Sequence, residues 1–449
     1  MFDAVIAANR FGLGAHPGEI AKITRDPRGF LDNQLRRPDP IDEPGLVSGA
    51  EGLNQFFALQ QERKAEKQAG QAPEQGQYKP LIEIYRREVL GRLRAAVLSE
   101  ASFQERLVRF WANHFTVSVQ NKIVVAPVAG AYVREAIRPH IMGSFRDLLR
   151  AAEMHPAMLL YLDNAQSVGP NSFAGQRLDK GLNENLAREI LELHTLGVDG
   201  GYTQSDVTSF AKVLTGWTVP RREGRMQGTP GEFHFEPRIH EPGAQVVLGK
   251  RYGEDGMAQG EHVLRDLAAH PATHRHLATK LVRHFIADDP PKDSVARIAS
   301  VLERKDGDLT AVYRALIAED AAWAQPLAKV KTPEEFLVSI LRGLNLRELE
   351  QYKLVEALSV LGERPFFANS PQGWPDDAGS WAGPDAIKTR LEYASQVANR
   401  AGAYVDARQL APEMLGDIVS QRTKDAVARA ASPEQGLTLL LMSPEFQRR

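Results

Sequence analysis

Residues Asn183–Trp217 read NENLAREILELHTLGVDGGYTQSDVTSFAKVLTGW, and their periodicity decides the fold class. Leu186, Ile190 and Leu193 recur at three- and four-residue steps, which is the spacing of an apolar stripe along a helix. At 100° per residue, Glu184, Asn185, Arg188, Glu189 and Glu192 share the other side within an arc of about 140°. Gly200-Gly201-Tyr202-Thr203, with Asp206 after it, reads as a glycine turn that feeds a second capped helix. The stretch therefore predicts two helices, 183–196 and 204–215, each with one core face.

Outward from this pair, helix signals dominate. Ser102-Phe103-Gln104-Glu105, Thr332-Pro333-Glu334-Glu335 and Ser432-Pro433-Glu434-Gln435 each set a hydroxyl at a helix start and a carboxylate or amide three residues on. There the two side chains can satisfy free backbone donors reciprocally. Further helices are predicted at about 81–98, 103–115, 129–139, 144–151, 258–269, 273–286, 293–304, 308–318, 333–345, 350–361, 385–400, 411–418 and 433–441. Strand signals are confined to Thr116–Val119 with Ile123–Val125, and to Gln245–Leu248 before Gly249. The fold class that follows is mainly α: a multi-helical globular domain with one or two small β-hairpins. With no internal repeat and no convincing boundary, the expectation is a single helical domain over 1–449. Polar, apolar-poor Gln61–Tyr78 is predicted to be a mobile insertion. Ala165–Gly181 and Pro220–Gly231 are predicted loops.

Composition narrows the function. The 449 residues are 43% hydrophobic, enough for a sizeable core, and 55 Lys and Arg against 57 Asp and Glu leave a net charge of −2. No overall field attracts nucleic acid or an anionic membrane. Zero cysteines remove disulfides, thiolate metal sites and cysteine nucleophiles. No apolar run approaches the roughly 20 residues of a bilayer span, so no membrane insertion is expected. No signal peptide is recognised near MFDAVIAANRFGLGAHPG, which makes the expected location cytoplasmic, with export beside a signal-bearing partner as the alternative.

The Asn183–Trp217 stretch closely resembles the signature of the domain of unknown function 1800 family of bacterial proteins. The likeness continues through ANRFGLGAHPGEI, ERLVRFWANHF (105–115), HPAMLLYLDNAQS (155–167), HEPGAQVVLG (240–249), HPATHRHLATKLVRHFIADDPP (270–291), SPQGWPDDAGSW (370–381) and the closing SPEFQ. The resemblance implies a mainly helical fold and a bacterial source. It also implies a neighbouring partner, a twin-arginine-exported protein related to alkaline phosphatases and sulfatases.

Residue chemistry supplies the candidate site. The polar face of the 183–196 helix has a structural reading, a surface laced by the pairs Glu184–Arg188 and Arg188–Glu192. It also has a functional one, in which Glu189 and Arg188 act on a substrate while Asn183 and Asn185, with Asn113 from another helix, hydrogen-bond a cofactor or ligand. A divalent metal would draw on Glu189, Glu192, His194 and His240, although Glu192-x-His194 departs from the Glu-x-x-His of di-iron bundles. His114, after Asn113 at a helix end, is either a cap or a site member. His240, in FEPRIHEPG, is the strongest candidate ligand or general acid–base. His276, Lys280 and His284 form a stripe with Arg283 beside them, to be read as a solvated basic face or a phosphate contact in a cleft. Nothing interleaves aromatics with that stripe as single-stranded nucleic acid would require.

Several familiar motifs fail. Pro17 stands where a dinucleotide fingerprint needs its third glycine after Gly12 and Gly14, and Gly243–Lys250 has one residue too many for a phosphate loop, with Arg251 after it. Trp374-Pro375-Asp376 resembles the general-acid loop of tyrosine phosphatases without their cysteine. There is no His-Glu-x-x-His and no Gly-x-Ser-x-Gly. Two functions remain: a metal-dependent hydrolase or oxidoreductase with a polar helix-lined pocket, or a non-catalytic binding partner of the exported phosphatase- or sulfatase-like protein.

Overall fold

A computed structural model describes residues 2–70, 76–177, 181–221, 226–324 and 327–449. Helices carry nearly all of the regular structure, and the expected mainly α class holds. One connected apolar core runs from Ala4 to Phe446. Two short antiparallel hairpins complete the fold: Trp217–Thr218 with His234–Phe235, and Gln245–Val247 with Lys250–Tyr252. Among the described residues no helix is long and apolar enough to cross a membrane.

Local chemistry explains most of the helix starts. Thr332 and Glu335 form the expected reciprocal cap, as do Thr203 with Asp206, and the Ser432 hydroxyl accepts from Gln435. Ser102 does not cap. It is the first residue of its helix, and Glu105 turns instead to Arg138, which it pairs at 2.5 and 3.1 Å. Neutralising a buried guanidinium outweighs satisfying one free N–H. The Pro271–Phe285 helix begins two residues before the expected 273, because the His270 ring accepts from Ala272 N–H and Pro271 fills the first turn.

Two further expectations change. Ile123–Val125 forms a 3₁₀ turn rather than a strand. Val119 N–H is already taken by Phe366 carbonyl and Phe115 carbonyl by the Tyr132 hydroxyl, so the backbone needs no hairpin partner there. Within Gln61–Tyr78, the helix Gly49–Gln68 runs on to Gln68, so that part is not a loop. Residues 71–75 of that segment, 178–180 of Ala165–Gly181 and 222–225 of Pro220–Gly231 lie outside the described residues.

The opening segment holds the most consequential departure. Its helix is α only over Asn185–Glu189 and then widens into a π turn at Ile190–His194. More residues per turn rotate the last side chains away from the even 100° phase. Glu192 thereby leaves the arc it would share with Glu184 and Arg188. Gly197, at φ 87°, closes the turn, and a Cβ there would sit 2.9 Å from His276 Nδ1. The glycine thus serves both the left-handed backbone and a close approach between helices.

Candidate functional site

Four segments converge on a cleft of about 480 Å³. The Ser102–His114 helix contributes Arg106, Arg109, Phe110, Asn113 and His114. The Pro271–Phe285 helix turns His276, Lys280 and His284 inward at successive four-residue steps, with Arg283 beside them. The capped turn at Thr332–Glu335 and the loop Gly373–Asp376 close the far wall, and Glu192 enters from the π turn.

The loop is fastened to the first helix by one side chain. Asn113 Nδ2 donates to Trp374 carbonyl at 2.9 Å, and its Oδ1 accepts from Trp374 N–H at 2.8 Å. Gly373 passes so close beneath, at φ 83°, that a Cβ would lie 2.5 Å from Asn113 carbonyl.

Beneath the cleft floor lies a network of buried charges. Glu335 is shared by Arg106 and by Arg449, whose Nε is 2.9 Å away. Asp376 accepts from His284 Nδ1 at 2.6 Å and faces Lys329 at 3.2 Å and Arg449 at 3.3 Å. Glu334 joins Arg92 at 2.8 Å to Arg109 at 3.0 Å. Burial pushes the Glu335 carboxyl up, but Arg106 and Arg449 prevail and hold it at about 2. Burial likewise opposes ionisation of Asp376, and its neighbours, His284 first and then Arg449, hold it far below the usual carboxylate range. Burial drops His284 to about 4, so a neutral ring donates from Nδ1 to ionised Asp376. Its Nε2 faces Arg106 at 3.4 Å, which leaves this imidazole no free lone pair. Glu363 behaves oppositely: burial, and then repulsion from Glu334, raise it to about 8. It carries a proton at neutral pH.

The expected site residues divide between this cleft and elsewhere. Asn113, His114 and Glu192 line it. His114 caps a helix end, though not its own: Nε2 lies 3.1 Å from His194 carbonyl, while His276 Nε2 lies 3.0 Å from Leu193 carbonyl. Both rings therefore carry their proton on Nε2. Glu192 accepts from the Tyr202 hydroxyl at 3.2 Å and makes no pair with Arg188. Arg188 instead pairs with Glu184 at 3.1 Å and Gln204 at 3.0 Å on the outer surface, as the structural reading of that face has it. Asn183 accepts from Asn185 N–H at 2.9 Å and starts the helix. His194 is fully buried with Nδ1 2.7 Å from Glu153 Oε1, away from the cleft. Glu189 is half-buried outside the cleft lining.

His240 sits in a different part of the fold. Its Nδ1 donates to Thr215 carbonyl at 2.7 Å, and its ring packs on Phe235 at 5.1 Å. Of the four proposed ligands Glu192 lines the cleft while Glu189, His194 and His240 do not, and among the described residues no three His, Asp or Glu side chains are grouped to hold a metal ion. Arg106, Glu363 and Arg449 were not singled out by sequence, Glu335 was read only as a helix cap, and Asp376 only within a phosphatase-like loop that was set aside. The available signal was the pair Glu334-Glu335 just inside an apolar helix, where solvated charges are out of place.

Fold and site together define a mainly helical protein organised around a charged cleft. The family model described as "Protein of unknown function (DUF1800)" matches residues 6–448, and the chain belongs to that family. No curated protein and no solved structure matches it.

Proposed function

We propose that the cleft binds a small anionic ligand and that the protein is an enzyme performing acid–base chemistry on it. One observation carries this reading: the carboxyl groups lining the cleft are already committed, whereas two of its cations are not. Glu334, Glu335 and Asp376 are held by arginines, His284 and Lys329, Glu192 takes the Tyr202 hydroxyl, and Glu363 accepts from Glu334 N–H at 2.7 Å. Among the described residues Lys280 has no hydrogen-bond or ion-pair partner, and Arg283 meets only Asp288 carbonyl, at 3.3 Å. A cleft with uncompensated cations attracts an anion. The proton on Glu363 supplies a general acid in the same space.

The metal-dependent hydrolase or oxidoreductase reading has no ligand set in its support, because among the described residues no three His, Asp or Glu side chains are grouped to hold an ion. A non-catalytic role beside an exported phosphatase- or sulfatase-like partner calls for an extended apolar face. Val198, Val360 and Tyr404, the most exposed large apolar side chains among the described residues, belong to separate segments.

The test is thermal denaturation with phosphate, sulfate and small carboxylates, using chloride at matched ionic strength as reference. The proposal expects a polyvalent anion to raise the midpoint of the wild type and to have no such effect on a Lys280→Met, Arg283→Ala double variant. Equal shifts in both proteins would refute it.

A further inference from the structure

The geometry points to Lys280 as a nucleophilic amine that forms an imine with the carbonyl carbon of a small anionic aldehyde or oxo acid, with Arg283 anchoring the anionic group. The inference deepens the proposed role of the cleft and rests on it. Lysines near buried carboxylates ordinarily settle into ion pairs, and Lys329 does so with Asp288 and Asp376. Lys331 lacks a hydrogen-bond partner, but it is sealed beneath the surface over the Phe446 ring and does not line the cleft. Lys280 is half-buried, lines the cleft and has no partner.

Of its neighbours only Asp376 favours an ammonium, and burial and Arg283 outweigh it. His276 and His284, one helical turn before and after, are neutral rings committed to Leu193 carbonyl and to Asp376. Arg283 on the same helix is a like charge. Across the cleft, the His114 ring is neutral and Glu192 is bonded to Tyr202, while Asp376 is held by His284, Lys329 and Arg449. Burial lowers the Lys280 ammonium to about 8 against the pull of Asp376, and Arg283 lowers it further. A desolvated lysine beside another cation is the usual setting of an imine-forming amine. Relative to the ordinary 10.5, the free amine fraction at neutral pH rises roughly 300-fold.

The step is a condensation. The Nζ lone pair adds to the carbonyl carbon while the C=O pair moves onto oxygen; one Nζ proton passes to that oxygen to make a hydroxyl, which takes a second proton from Glu363 or solvent and leaves as water while the nitrogen lone pair forms the C=N bond of a protonated imine. No oxidant or reductant is consumed.

The experiment uses the full chain, glyoxylate as the anionic aldehyde and cyanoborohydride to fix the imine, with labelled lysines located by peptide mass spectrometry. Lys280 is expected to label at least tenfold faster than the exposed Lys353 and Lys388, and phosphate should slow that labelling. Arg283→Ala should reduce it several-fold. Lys280→Arg should abolish the fast incorporation while its circular dichroism spectrum and urea midpoint stay those of the wild type, and Lys353→Arg, exposed and outside the cleft, should leave both the fast labelling and the phosphate shift unchanged. Labelling spread evenly over surface lysines, with the phosphate shift still present, overturns the imine and leaves the anion cleft standing. Loss of the phosphate shift in the wild type removes both.

Discussion

Replacing Glu335 with Gln removes the carboxylate that Arg106 and Arg449 share, and the structure sets the expected cost. The two guanidiniums are almost fully buried, with side-chain exposures of 2% and 0%. Arg106 keeps Gly12 carbonyl at 2.7 Å, and Arg449 keeps His284 carbonyl at 2.7 Å and Asp376, but the charge at their centre is gone. Glu335 titrates at about 2 against an ordinary 4.5, and that difference corresponds to about 3 kcal/mol of stability at pH 7. Breaking a buried ion pair from one side costs a similar amount, about 3–5 kcal/mol. Because the folded value is depressed, the contribution is complete above the unfolded 4.5 and is lost as pH falls through about 2. Urea unfolding followed by tryptophan fluorescence should therefore separate wild type from Glu335→Gln by about 3 kcal/mol at pH 7 and by only about 1 kcal/mol at pH 3. A gap below about 1 kcal/mol at pH 7, or one that does not narrow with acid, would refute the reasoning.

Asn113→Ala should cost about 2 kcal/mol by deleting both bonds to Trp374, and the near-ultraviolet circular dichroism of that indole should weaken. An unchanged spectrum would mean that the loop is held by other contacts. Gly373→Ala should destabilise more than Gly201→Ala, since both sites have positive φ but only Gly373 would meet backbone oxygen, at 2.5 Å; equal losses by urea titration would contradict this. His240→Gln should leave the phosphate-induced thermal shift intact, because His240 serves Thr215 and Phe235 rather than the cleft. Loss of that shift in a folded variant would bring His240 back into the site.

Much of the helical framework was legible because caps and apolar periodicity are local. Thr332 with Glu335 and the 3.6-residue stripe of Leu186, Ile190 and Leu193 announce themselves within a few residues. The π turn at Ile190–His194 does not. Its freed carbonyls at Leu193 and His194 are satisfied by His276 and His114, which lie far away in sequence. Rephasing of Glu192 therefore depends on tertiary partners that an even helical wheel leaves out. The cleft was partly visible, since His276, Lys280, His284 and Arg283 already lay on one face. Its charge network joins residues 106, 284, 335, 376 and 449, each of which alone looks like an ordinary surface charge. His240 misled for the same reason: a histidine in a glycine- and proline-flanked loop suggests a ligand, and only the fold shows Thr215 carbonyl waiting for its Nδ1 proton.

The central claim is that Lys280 and Arg283 await an anion. Its most direct test is a crystal structure of the protein soaked with tungstate, an electron-dense tetrahedral anion. The account predicts tungstate in the cleft within hydrogen-bonding reach of Lys280 Nζ and the Arg283 guanidinium. An empty cleft, or tungstate bound only at outer-surface arginines such as Arg188, would contradict it.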